Sequence, residues 1–154
     1  DTVRFTSLSP HRIKVTGRTR HHINVFGEEL IIENAEEALR IVCKKTKTEI
    51  IEYTAAPIFM EGKKKGGHEW LIEFRTPPED LGHFTALLDN ALKSLNSDYE
   101  AKRYNNMTLN NPIVHKARAG QFHDWLATKD KLGGQHKIPR LSNSRQYLEE
   151  LMAL

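Results

Sequence analysis

The sequence holds a single cysteine, Cys43, in 154 residues. That excludes an internal disulfide framework and any zinc site built on cysteine pairs. No apolar run approaches the ~18–20 residues that cross a bilayer, and no signal-peptide pattern opens the chain. A membrane partner is therefore excluded and a cytoplasmic location expected. Charge of one sign is also scarce: 23 Lys+Arg stand against 20 Asp+Glu, a net of +3. Nucleic-acid binders carry a strong basic stripe, so no nucleic-acid partner is expected. Internal repeats, low-complexity tracts and domain-dividing linkers are lacking too. What is present is 38% hydrophobic and 28% charged residues of mixed sign, enough to build the core of one soluble domain. Asp1 follows no Met, and residues 2–5 already read as strand. A natural terminus seldom opens inside a strand, so the chain is expected to be a piece of a longer protein.

Apolar alternation marks β-structure at Val3 and Phe5, Ile13 and Val15, and Ile23 and Val25, punctuated by Ser-Pro and Gly-Arg. Asn34 reads as the start of a helix, with Glu37 completing a capping-box-like pair and Ala35, Ala38, Leu39 and Val42 forming the apolar face. Residues 49–60 and 68–75 read as a hairpin joined by the loop Gly62–Gly67. After Pro77-Pro78, the residues Leu81, Phe84, Leu87, Leu88, Ala91, Leu92 and Leu95 recur at three- and four-residue steps, one face of a helix. Further elements are predicted at 97–104 (helix), 112–117 (strand), 121–128 (helix) and 143–152 (helix). The pattern gives an α+β fold: a mostly antiparallel sheet with helices packed on it.

Several constellations invite a chemical reading. His21 and His22 are adjacent, point to opposite faces of a strand and make a poor chelating pair, so no metal site is assigned. Glu28 and Glu29, just ahead of a helix, read as macrodipole and capping residues rather than an acid–base pair. The small residues of Glu52–Pro57 would let a ligand or another domain approach closely, and ordinary sheet packing accounts for them as well. From His115 to Arg145 seven Lys/Arg face only Asp124 and Asp130; an anionic ligand and a solvated face both fit. Within that stretch, Gly133-Gly134-Gln135-His136-Lys137-Ile138-Pro139-Arg140 puts a lysine between flexible glycines and a stiff proline. Such a loop delivers a point charge to a developing phosphate charge, or is simply solvated.

The segments INVFGEE, EYTAAPIF, HEWLIEF, NSDYEAKR and GGQHKIPRLSN, in that order, resemble the auxin-responsive acyl-acid amido synthetase family in its bacterial branch, within the adenylate-forming acyl-CoA synthetase and luciferase superfamily. The resemblance runs from Asp1 to about Leu151. It implies a ligase forming C–N bonds in two steps: a large N-terminal domain, absent from this chain, binds ATP with Mg2+ and a carboxylic acid and forms an acyl-adenylate. The small mobile C-terminal cap domain, residues 1–154 with a hinge-proximal segment at 1–20, then rotates, and an amine such as an amino acid takes the acyl group. By that resemblance Lys137 is the catalytic lysine of adenylation, Asp1 and Arg18 contact the nucleotide, and Thr19-Arg20 form the hinge. Arg20 replaces the superfamily's usual Asp or Lys, and Gln135-His136 separate Gly134 from Lys137 as only the narrower family does. The implied partners are the chain's own N-terminal domain and the acid and amine substrates; the isolated domain is expected to be inactive. The competing reading is a stand-alone α+β module that binds a small anion without catalysis.

Overall fold

The computed structural model describes residues 2–17, 21–106, 108–129 and 137–154. It opens with an antiparallel hairpin, β1 (Thr2–Leu8) and β2 (His11–Gly17), followed by a short pair, β3 (His22–Ile23) and β4 (Leu30–Ile31). Helix α1 (Ile32–Thr46) leads to a three-stranded sheet of β5 (Glu49–Ile58), β6 (Gly67–Thr76) and β7 (Ile113–Lys116), in the order β5-β6-β7. Between β6 and β7 lie α2 (Leu81–Leu95) and α3 (Ser97–Arg103); α4 (Gln121–Thr128) and α5 (Gln146–Met152) complete the chain. The architecture is α+β, as the pattern predicts.

The sheet positions everything else. Side chains of β6 alternate between two layers, as the period of two requires. Trp70, Ile72 and Phe74 enter a larger core with Phe84, Leu88 and Leu92 of α2 and Ala35, Ala38 and Val42 of α1. Leu71 points the other way into a second core with Phe122 and Trp125 of α4 and Leu148 and Leu151 of α5. Covered on both faces, β6 is buried almost throughout its central part, as expected for a strand between two helical layers. β5 and β6 pair antiparallel, whereas β6 and β7 pair parallel. The helical crossover α2–α3 permits this, because parallel neighbours need a long connection.

Val25, read as strand with Ile23, lies instead in the bend between β3 and β4, and two helix starts differ from expectation for visible reasons. Helix α1 begins at Ile32 rather than Asn34, and Asn34 serves as its third residue, where Oδ1 accepts the Ile31 N–H at 3.3 Å. Glu37 instead forks onto Arg40. The last helix begins at Gln146 rather than Asn143. Ser142 and Ser144 accept the N–H groups of Ser144 and Gln146, a local alternative that serine offers the backbone in place of helix. At α2, Asp80 accepts the His83 N–H at 3.1 Å and caps the helix.

Candidate functional site

Lys137 is exposed and opens a strap, residues 137–143, that runs beside the outer edge of β5. The strap is hydrogen-bonded to that edge like a short parallel strand. The Ala55 N–H donates to the Arg140 carbonyl at 2.8 Å, and the Ser142 N–H donates to the Ala55 carbonyl at 3.2 Å. Thr54 Oγ1 donates to the Pro139 carbonyl at 2.7 Å. Ala55 enters the first core and Ala56 the second, so these small side chains belong to the packing of the two layers, while the strap pairs with the backbone edge. Ile138, 4% exposed, enters the second core, while Leu141, fully buried, enters the first. Within five residues the strap is pinned in both layers.

Arg140 adds a side-chain brace. Its Nε donates to Glu52 Oε1 at 2.9 Å and its Nη1 to Glu36 Oε1 at 2.7 Å, joining β5 to α1. Its guanidinium lies 5.3 Å from the centre of the Tyr53 ring. Tyr53 Oη donates to the same Glu36 oxygen at 2.7 Å. Burial would lower the Arg140 pKa, but Glu52 and Glu36 outweigh it and hold the group further above its usual value. Burial and the adjacent Glu36 raise the Tyr53 phenol well above its usual range, so it stays a hydrogen-bond donor. The brace forms one wall of an open groove of about 400 Å³ whose floor includes Leu39, Cys43 and Ile50. Part-exposed ion pairs contribute only ~0.2–1 kcal/mol each and an exposed cation–π contact ~0.5–1 kcal/mol. The brace therefore contributes geometry more than stability.

Beyond Arg140, Asn143 Oδ1 accepts the Asn24 N–H at 2.8 Å, and Asn24 Oδ1 accepts the Glu29 N–H at 3.1 Å. The far end of the strap is thereby tied to the loop between β3 and β4. That loop is fixed in turn by Glu28, which is fully buried and accepts from the Phe26 N–H (2.7 Å) and pairs with His68 Nε2 (2.7 Å). The capping role expected for Glu28 is therefore corrected: its carboxylate turns into the core, away from the start of α1. Glu29 does not cap α1 by its side chain either; it sits at φ 43° with its carbonyl accepting from Asn96.

The other predicted positions, Asp1, Arg18, Thr19 and Arg20, lie outside the described residues, as do Gly133 to His136. Of the seven cations in the basic stretch, Arg118, Lys129, Arg140 and Arg145 are engaged by Asp124, Glu150, Glu36 with Glu52, and Glu69 with Glu149. Their charge is spent locally, which leaves Lys116 and Lys137 as the exposed cations of this stretch with no ion pair among the described residues, and Lys137 heads the strap. Among the described residues no group of three or more His, Cys, Asp or Glu side chains is arranged to hold a metal, and no helix is long and apolar enough to cross a membrane.

A family model described as the GH3 family C-terminal domain matches residues 33–146, a stretch that contains the whole strap. The chain belongs to the GH3 family. Among solved structures, this GH3 domain is similar to AtGH3.15 acyl acid amido synthetase in complex with 2,4-DB, with a TM-score of 0.74 at 13% identity over 98% of this chain and 29% of that one. A second structure, of GH3.15 acyl acid amido synthetase, gives a TM-score of 0.69 at 13% identity over 93% of this chain and 26% of that one. At such identity the likeness is one of fold. The chain spans less than a third of the length of these two proteins. No match emerges among curated proteins.

Proposed function

We propose that this GH3 domain is the mobile C-terminal part of an ATP-dependent ligase that adenylates a carboxylic acid and passes the acyl group to an amine of the amino-acid class. The observation that carries the reading is Lys137: an exposed cation at the head of a strap pinned into both cores, within the family-matched stretch. In the first step a carboxylate oxygen attacks the α-phosphorus of ATP and pyrophosphate leaves. Negative charge gathers between the acid and the phosphate, and a fixed ammonium there stabilises the transition state without moving a proton. In the second step the amine nitrogen attacks the acyl carbon, AMP leaves and the nitrogen sheds a proton. Residues 1–20 are the hinge-proximal segment, with Thr19-Arg20 at the pivot, and Asp1 and Arg18 are assigned to the nucleotide. Rotation there carries Lys137 away before the amine attacks. ATP and Mg2+ are assigned mainly to the preceding N-terminal domain.

The test is Lys137→Ala in the enzyme that joins this chain to its preceding domain. Acid-dependent pyrophosphate exchange is expected to fall by roughly 10²–10³-fold, the range for a lost electrostatic group. Amide formation from a supplied acyl-adenylate should fall much less. Equal exchange rates in variant and parent would remove Lys137 from the mechanism.

A further inference from the structure

The strap has two kinds of attachment. Backbone bonds and the buried Ile138 and Leu141 hold its body. Arg140 adds a side-chain attachment that is 40% exposed, where an ion pair contributes little to stability. Its guanidinium nevertheless reaches two separate elements at once, Glu36 on α1 and Glu52 on β5, across the face of Tyr53. A planar fork held by two carboxylates and a ring fixes orientation as well as distance. Only Ile138 and Pro139 separate it from Lys137, and the proline between them restricts φ. The Pro139 carbonyl is itself held by Thr54. The brace adds to the hold of the backbone bonds, Ile138 and Leu141 against pivoting of the strap about its long axis, and it acts only two residues beyond Ile138 from Lys137, at the third position of the strap's sequence.

We propose that Arg140 is a positioning residue for adenylation: braced by Glu36, Glu52 and Tyr53, it sets the orientation from which Lys137 reaches the reacting acid and phosphate. The assignment rests on the reading of Lys137 given above. Arg140 touches no substrate; it acts through the lysine.

The experiment is a double-mutant cycle in the intact enzyme, with Arg140→Ala, Lys137→Ala and the pair. Acid-dependent pyrophosphate exchange, amide formation from supplied acyl-adenylate and the thermal midpoint are read for each. Arg140→Ala is expected to lower the kcat of exchange by roughly 10- to 100-fold, the scale of a small misplacement of a reacting group. KM for ATP and acid should stay within about twofold, and amide formation from the adenylate likewise. In the Lys137→Ala background, Arg140→Ala should cost less than about twofold, because the group it orients is gone. Glu52→Gln and Arg140→Lys, which keep the strap's backbone bonds, should each reproduce part of the loss with near-parental midpoints. An equal loss in both backgrounds, an equal fall of the two half-reactions, or no loss in exchange would overturn the positioning role. If Lys137→Ala itself leaves exchange unchanged, the parent reading fails and this one with it. If Lys137→Ala is crippled while Arg140→Ala and Glu52→Gln are not, only the positioning role is lost.

Discussion

Glu28 is the residue whose chemistry departs furthest from its sequence context. Burial would raise its pKa, but hydrogen bonds from His68, its own backbone and the Phe26 N–H outweigh burial and hold it below the usual carboxylate range. A carboxylate with a depressed folded pKa stabilises the fold above its unfolded pKa, and loses that contribution as pH falls through the folded value. Glu28→Gln removes the charge from a buried pair, which costs less than deleting one partner outright: about 2–3 kcal/mol at neutral pH. The gap between parent and variant should close in acid as Glu28 takes up its proton. Urea titrations from neutral pH down through the acid range would measure both; a gap that stays constant throughout would show that Glu28 acts through shape alone. Nothing local marks this residue. Its partner His68 lies forty positions away across the sheet, and two adjacent glutamates before a helix look like dipole compensation from either side.

At the scale of elements, the apolar spacing of α2 was legible and its one buried charge was not. Phe84, Leu88, Ala91 and Leu92 are buried as the three- and four-residue steps require, but Asp89 is buried beside them at 5% exposure. It accepts from Arg103 Nε at 2.8 Å and Nη2 at 2.7 Å and from Tyr99 Oη at 2.8 Å, so it bolts α3 to α2. Arg103 also donates to the Leu109 carbonyl and to Asn111, which carries the chain on towards β7. Asp89→Ala leaves a buried guanidinium without this counter-charge and should cost about 3–5 kcal/mol. Asp89→Leu with Arg103→Met should recover most of that, as replacement of a buried pair by apolar groups often does. Denaturation midpoints of the single and double variants would decide; a double variant no better than the single would make the pair a net stabiliser. Helix faces and strand runs follow from spacing that a few neighbouring residues determine. Pairs such as Asp89–Arg103, or Arg140 with Glu36 and Glu52, join residues that only the completed fold brings together. The same holds for the strap: its lysine stood out in the sequence, while the brace behind it depends on positions 36, 52 and 53, far upstream, with Glu52 lying 88 and Glu36 104 residues before Arg140.

For the molecule as a whole, the two cores and the hairpin β1–β2 make different claims on stability. Among the described residues, every member of either core comes from Ile23 onward, and the family match begins at residue 33. The hairpin pairs its strands with each other and brushes α1 through β2, yet Val3, Phe5, Leu8 and Ile13 are 51%, 60%, 74% and 58% exposed. A two-stranded hairpin with its apolar side chains in water is marginal by itself, and it adds little buried area to the rest. Residues 21–154 should therefore unfold in urea within about 1 kcal/mol of the full chain, with a slope only slightly smaller, since the slope follows the surface exposed on unfolding. A loss of several kcal/mol would mean that the hairpin is integral to the larger core. If the midpoint holds, the folding unit of this GH3 domain starts after the proposed pivot at Thr19-Arg20. Rotation about that pivot would then move one intact body, with Lys137, its strap and the Arg140 brace fixed inside it.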